Sequence, residues 1–411
     1  MNETTPISMI DVARLKTEVR QELQTNILPY WIDHMCDHER GGFYGRITGE
    51  EVMDNSAERG AILCARILWS YASAYRVLGD SAYLEMAHHA YRELVDRFYD
   101  KEYGGVYWSL NPDGSPASDK KQIYALGFAI YGLSEYHRAT NDASAKELAL
   151  ELYHTIETHS FDAVNNGYFE AMMRDWQPLE DMRLSAKDEN LAKTMNTHLH
   201  ILEPYTNLYR IAPSAELAAK LRNLIEIFLE RIIDPTTYHL GLFFEDDWCV
   251  SSKNLSYGHD IEAGWLIQEA AEVLGDKALL ERVESVVPKI TAAAMEGLQP
   301  DGSLIYEYEA RADHHDAERH WWVQSEAIVG LINDYQLTGD QTRLQQAIAC
   351  WEYVKSHLID RTAGEWYWSI MPDGSVNRKD DKAGFWKCPY HNSRMCLELI
   401  ERQIPDVATK P

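Results

Sequence analysis

Three short segments of this chain set histidine beside aromatic rings and polar partners: TMNTHLH (Thr194 to His200), YGHDIEAGW (Tyr257 to Trp265) and GFWKCPYHN (Gly384 to Asn392). The paired cysteines, HExxH helices and glycine-rich phosphate loops that mark metal and nucleotide sites do not occur. What remains is imidazole for proton transfer among rings able to stack on a sugar. That combination points to acid–base chemistry on a carbohydrate with no cofactor.

Spacing refines this. His259 and Glu262 lie three apart, with Trp265 three further on. On one helical face the carboxylate can accept from one ring nitrogen, fix the tautomer and raise the basicity of the other. The plain alternative is a surface His–Glu pair of little energetic weight. Asn196 and His200 share a helical face and His198 points elsewhere; most helical histidines are simply packed core residues. Trp322 and Glu326 stand at i, i+4, and Trp386 and His391 flank Pro389, which marks a loop or a helix start. In ERGAILCARILW, Arg59 and Arg66 interrupt an apolar run. An arginine there either caps a buried carboxylate or reaches a cavity to meet an oxyanion.

The elements that must position these side chains come from a long repeat. Gly42, Gly105, Gly167, Gly241, Gly302 and Gly364 each open a turn rich in aromatics, at spacings of 63, 62, 74, 61 and 62 residues. Such turns suit short β-hairpins. Between them, Ala61 to Leu78, Ala82 to Tyr99, Leu217 to Ile232 and Ala263 to Val273 repeat apolar residues every three to four positions, as helices do. Two helices and one hairpin per repeat predict an all-α (α/α)6 barrel of about twelve helices with β-hairpins in the connecting loops. An open α-solenoid would have shorter repeats without the aromatic hairpins.

Composition sets outer limits. The 411 residues, 45% hydrophobic, suffice for one catalytic domain over 1–411 with flexible tails at about 1–8 and 404–411. A net charge of −26 argues against nucleic acid and against an anionic membrane, and suits a neutral small-molecule substrate. No run of eighteen apolar residues predicts a membrane span, and the first residues lack the order of a signal peptide. Six cysteines without CxxC spacing read as reduced, mostly buried thiols of a cytoplasmic protein.

Taken together, RGAILCARILW, RLSAKD, MNTHLH, SYGHDIEAGW, RHWWVQSEA and FWKCPYHN resemble the N-acylglucosamine 2-epimerase superfamily, and most of all its branch acting on cellobiose, over about Val12 to Gln403. The resemblance implies the same barrel and reversible epimerisation, without metal or nucleotide, at C2 of the reducing-end glucose of β-1,4-linked disaccharides such as cellobiose and lactose. It makes His259 and His391 the acid–base pair, His200 and Arg66 the groups on O1 and O2, and Glu262 and Glu326 the carboxylates orienting the histidines. Asn196, Tyr124, Trp322 and Trp386 become reducing-end contacts, with Asp188 and Glu307 as further substrate residues. Sister activities in the superfamily are N-acetylglucosamine 2-epimerisation and mannose aldose–ketose isomerisation; the resemblance to the cellobiose branch favours a monomer, with a homodimer as the alternative. An inverting glycosidase on the same barrel would instead need two carboxylates about 6.5–9.5 Å apart. Histidine catalysis predicts a bell-shaped pH dependence near neutrality.

Overall fold

In the computed structural model, which describes residues 9–404, the repeat resolves into twelve helices among the described residues. In chain order they are α1 (Met9–Glu22, through a π-helical turn at Leu23–Ile27 into Leu28–Met35), α2 (Ala61–Leu78), α3 (Ser81–Glu93, ending in a π-helical turn at Leu94–Phe98) and α4 (Ile123–Thr140). Then come α5 (Ala143–His159), α6 (Met195–Ile211), α7 (Ala215–Ile227, ending in a π-helical turn at Phe228–Ile232) and α8 (Tyr257–Leu274). The last are α9 (in two segments, Lys277–Glu284 and Val287–Ala294), α10 (Trp321–Thr338), α11 (Gln341–Tyr353, ending in a π-helical turn at Val354–Leu358) and α12 (Tyr390–Glu401). The even-numbered helices form the inner wall; each packs on the next and α12 packs back on α2, which closes the ring. The predicted (α/α)6 barrel is therefore the observed fold. Among the described residues no helix is long and apolar enough to cross a membrane. The expected tails lie outside the described residues, apart from Ile404.

Helix ends follow from local chemistry. Gly79, Asn141, Gly275 and Gly339 close α2, α4, α8 and α10 in the left-handed conformation. The very next residue, Asp80, Asp142, Asp276 or Asp340, caps the following outer helix with its carboxylate. Inner-to-outer connections are thus tight, and all the long loops gather at the other end, over the N-termini of the inner helices. The helix expected over Ala82–Tyr99 becomes Ser81–Glu93 plus a π turn, and α7 ends likewise. Tyr99, Ile233 and Ile359 donate their N–H groups to carbonyls five residues back, and the widened turn delivers the chain into extended backbone.

The hairpins are built on aspartate. Asp37, Asp100, Asp162, Asp234 and Asp360 each donate their N–H to the carbonyl five residues on. One oxygen of each carboxylate takes the N–H groups two and three residues ahead. The fourth residue on has positive φ: Gly41, Gly104, Asn166, Tyr238 and Gly364. Gly241 is therefore not a turn glycine, contrary to expectation. Tyr238 holds that place at φ 64°, and the interval from Asn166 is still long at 72 residues because the rim loop between Met172 and Lys193 is longer than its counterparts.

Each dipeptide ahead of an inner helix pairs antiparallel with the next repeat's hairpin. Arg59–Gly60 meets Ser109–Leu110, Lys121–Gln122 meets Ala171–Met172, and Lys193–Thr194 meets Phe243–Phe244. Leu255 and Ser256 lie opposite Tyr308 and Glu307, and Arg319–His320 meets Ser369–Ile370. Ala383 bridges back to Ile47, so this rim closes as the helices do.

Candidate active site

The inner helices share one frame. Counted from each first residue, the second position holds Tyr124, Asn196, Trp322 and His391, and the sixth holds Arg66, Phe128, His200, Glu262 and Glu326. The ninth holds Trp69, Tyr131, Glu203 and Trp265. A spacing of four then three keeps these on one helical face, in layers that descend from the rim. This repeat brings together predicted residues from all six inner helices.

His391, in the first turn of α12, places Nδ1 2.7 Å from Glu326 Oε1. Behind it lies Arg394, which no reading of the sequence singled out. Its Nη2 donates to Glu262 Oε1 at 2.6 Å and to Glu326 Oε1 at 2.7 Å, and its Nη1 pairs with Glu203 and the Tyr390 hydroxyl. Trp265 Nε1 donates to Glu326 Oε2 at 3.0 Å. All three carboxylates are buried. Burial raises the Glu262 and Glu326 carboxyls above the usual range, and the neighbouring Glu326 charge raises Glu262 further. Burial also opposes charge on Glu203, but Arg394 and His200 outweigh it and hold that carboxyl at about 2. One guanidinium among three buried carboxylates favours a proton kept on the Glu262–Glu326 pair.

His259 differs from expectation. Its partner is the Ser256 hydroxyl, 2.7 Å from Nδ1, and not Glu262, whose carboxylate is taken up by Arg394. The two residues do stand three apart on α8, but Arg394 is a full cation, and charge-assisted pairing outcompetes a neutral imidazole for a buried carboxylate. Burial pushes His259 down to about 3. Burial, then Arg66, Arg394 and His200, push His391 far below its ordinary value. Both imidazoles are neutral at physiological pH. Both also face one indole: Trp322 lies 4.8 Å from His259 and 5.6 Å from His391, centroid to centroid. A Cβ on Gly258 would come within 2.6 Å of that indole, so glycine is what lets Trp322 sit between them.

Arg66 does not cap a carboxylate. Its Nη2 donates to the Tyr124 hydroxyl at 2.8 Å and its guanidinium lies over Phe128 and Tyr390. Among the described residues no carboxylate partners it, and its Nε has no partner at all. His200 holds Nδ1 3.1 Å from Glu203 Oε2 and lies 4.9 Å from the Tyr124 ring. Its other nitrogen stays available, and burial keeps the ring neutral by lowering its value. Asn196 Oδ1 is buried without a partner. Trp386 sits 6.1 Å from Tyr124, toward the rim. Asp188 is in a rim loop and Glu307 in the short rim strand opposite Ser256, with no side-chain hydrogen bond to the histidine cluster among the described residues. Asp188 accepts from Ser185 N at 2.8 Å, and burial pushes the Glu307 carboxyl up to about 7.

Glu262, Glu326 and His391 offer ligand atoms within 4.8 Å of one another, a spacing a metal ion could use. The place between the carboxylates is filled by Arg394 Nη2. His198, which points away as expected, accepts from Tyr168 N at 3.0 Å and serves the fold. Four of the six cysteines are buried and all are free thiols. Arg394, Glu203, Tyr390 and Ser256 went unnoticed in the sequence. Their signals were weak: Glu203 follows His200 by three, and Arg394 follows His391 by three in a helix otherwise rich in apolar residues.

At the opposite end of the barrel a separate cavity of about 290 Å³ is lined by Arg76, Arg138, Arg210, Glu135 and Glu269 among others, and includes none of the predicted residues.

Comparison with known proteins follows the same line. Residues 41–394 match the N-acylglucosamine 2-epimerase (GlcNAc 2-epimerase) family. The cellobiose 2-epimerase of Bacteroides fragilis is 59% identical over 94% of this chain and 98% of its own length. That of Ruminococcus albus is 40% identical over 94% and 99%. The solved cellobiose 2-epimerase of Bacillus thermoamylovorans superposes with a TM-score of 0.91 at 42% identity, covering 95% of this chain and all of that one. Motifs, barrel and relatives converge, and the chain belongs to the N-acylglucosamine 2-epimerase family of isomerases.

Proposed function

We propose that this enzyme epimerises cellobiose and related β-1,4-linked disaccharides, lactose among them, at C2 of the reducing-end glucose. The single observation that carries the chemistry is a pair of neutral imidazoles on two helices, half-buried His259 and buried His391, against one indole, with Arg66 free of any carboxylate partner among the described residues. The substrate assignment rests on the relatives that share most of the chain.

The C2 hydrogen is acidic only beside a free aldehyde, so the ring opens first. His391 gives a proton to the ring oxygen and recovers one from O1, which is bonded to the same carbon. His259 then removes the C2 proton to leave a cis-enediolate. Arg66 and His200 face the charge growing on O1 as preorganised donors, the arrangement that usually contributes most to such catalysis. Reprotonation from the opposite face comes from His391 Nε2 while its Nδ1 takes the proton held by Glu326. The proton gained by His259 returns to the carboxylate pair before the next turnover. Tyr124, Asn196, Trp322 and Trp386 hold the opened sugar, with Asp188 and Glu307 at the rim for the second ring. Rotation about C2–C3 with one histidine serving both faces is the other route, and imidazoles on two separate helices favour the two-base form.

The geometry weighs against an inverting glycosidase built on Glu262 and Glu326. Glu262 and Glu326 share one Arg394 nitrogen, at 2.6 and 2.7 Å, too close for an inverting pair with a water between them. Proton NMR of the products from cellobiose tests the reading. A mannose-type reducing end supports it; free glucose or a ketose overturns it.

A further inference from the structure

One position further into the inner helices, a recurring contact ties each first turn to its hairpin. The fourth residue of α6, α8 and α10 accepts a backbone N–H from the hairpin's returning strand. His198 Nε2 takes Tyr168 N at 3.0 Å, Asp260 Oδ1 takes Leu240 N at 2.9 Å, and Gln324 Oε1 takes Leu304 N at 2.8 Å. The same task thus falls to an imidazole, a carboxylate and an amide. Two of these are neutral. Asp260 is fully buried, and a lone carboxylate there is costly unless a cation answers its second oxygen.

His239 does so, with Nδ1 2.7 Å from Asp260 Oδ2 and Nε2 3.4 Å from Glu296 Oε2. The hairpin aspartates, by contrast, pair with arginine or lysine: Arg59 with Asp37, Lys121 with Asp100, Lys193 with Asp162, Lys382 with Asp360. Asp260 sits on the helix itself, and its cation is an imidazole, which can lose its proton. Asp260 is moreover the residue after His259, whose own side chain hydrogen-bonds to Ser256 and packs on Trp322.

We propose that His239 and Asp260 form a positioning pair that fixes the first turn of α8, and with it the His259 base, while His239 carries its proton. The groups facing His239 are Asp260 and Tyr257 of α8, Glu296 beyond α9, and Asp234 of its own turn. Burial works against the imidazolium, and the two carboxylates outweigh it and raise the His239 value. The pair is intact below that raised value. As pH rises through it the proton leaves, Asp260 is left without a cation, and the first turn loosens.

The inference rests on His259 as the base, and its test separates the two. His239→Gln is expected to lower kcat roughly tenfold with KM for cellobiose little changed, as a small misplacement of a catalytic group does. Asp260→Asn added to His239→Gln copies the neutral anchor of Gln324 and is expected to restore most of kcat, with the alkaline fall then set by the Glu262–Glu326 proton alone. Histidine NMR titration reads the pair without turnover: the His239 value falls toward that of free imidazole in Asp260→Asn. If His239→Gln keeps the parent kcat and pH profile, or the folded double variant is no better than the single one, the positioning role is wrong. Should His239→Gln fail to fold, the double variant alone decides, by showing parent-like kcat or not. An active His259→Ala would instead remove the base assignment while leaving the titration result standing.

Discussion

Arg394 holds Glu203, Glu262 and Glu326 with a single guanidinium, and in the proposed mechanism the proton this leaves on the Glu262–Glu326 pair is the one His391 draws on. Arg394→Met would strand three buried carboxylates. We expect it to destabilise the fold by about 3–5 kcal/mol, read by denaturant unfolding, and to abolish turnover. His259→Ala and His391→Ala should each lower kcat by about 10²–10⁴ while circular dichroism stays unchanged. More than about a tenth of parent activity in either would remove that histidine from the acid–base pair. The pH profile follows from the same electrostatics. His259 must be neutral, so activity rises as pH climbs through its lowered value near 3. The carboxylate pair must keep its proton, so activity falls as pH climbs through its raised range. The plateau should therefore begin well below the range of free imidazole, wider on the acid side than unperturbed histidines would give. An acid limb centred near the free imidazole value would contradict the burial argument.

At the scale of one helix, α6 shows why the site could be found in the sequence while its shape could not. Pro204 has no N–H for the carbonyl of His200, and the helix departs from helical geometry there, with His200 at φ −90° and ψ 15°. The freed carbonyl presses on α4, where a Cβ on Gly127 would come within 2.2 Å of it. Gly127→Ala should push His200 out of place, costing about 1–3 kcal/mol of stability and lowering kcat more than it raises KM. Unchanged kinetics in a folded Gly127→Ala would break this link. Helix α2 was legible to its bounds, because Ala61 to Leu78 keeps one period and ends at a left-handed Gly79. The histidines were legible because aromatic and polar neighbours surround them in the chain. Arg394 was not, since its partners lie on α6, α8 and α10, far off in sequence. The Glu262–His259 pairing misled for a related reason: spacing on one helix says nothing about a stronger partner arriving from another.

Across the whole molecule, closure is achieved twice. At the rim Ile47 N donates to the Ala383 carbonyl at 2.7 Å. At the far end Arg76 of α2 binds Glu401 of α12 through both nitrogens, at 2.7 and 2.9 Å, and Glu135 of α4 at 2.7 Å. Arg76→Met should lower the unfolding midpoint by an amount equivalent to about 1.5–3 kcal/mol, less at high salt, and leave KM and kcat near parent values because the site lies at the other end. A matching loss of kcat would mean that the far end is coupled to the histidines. The central claim, two histidines working on opposite faces of one enediolate, is reached most directly by early-time proton NMR of cellobiose turnover in D₂O. We predict glucosyl-mannose carrying deuterium at C2 while the remaining cellobiose keeps its C2 hydrogen. A product that retains protium at C2 would contradict the two-base account and leave one histidine serving both faces.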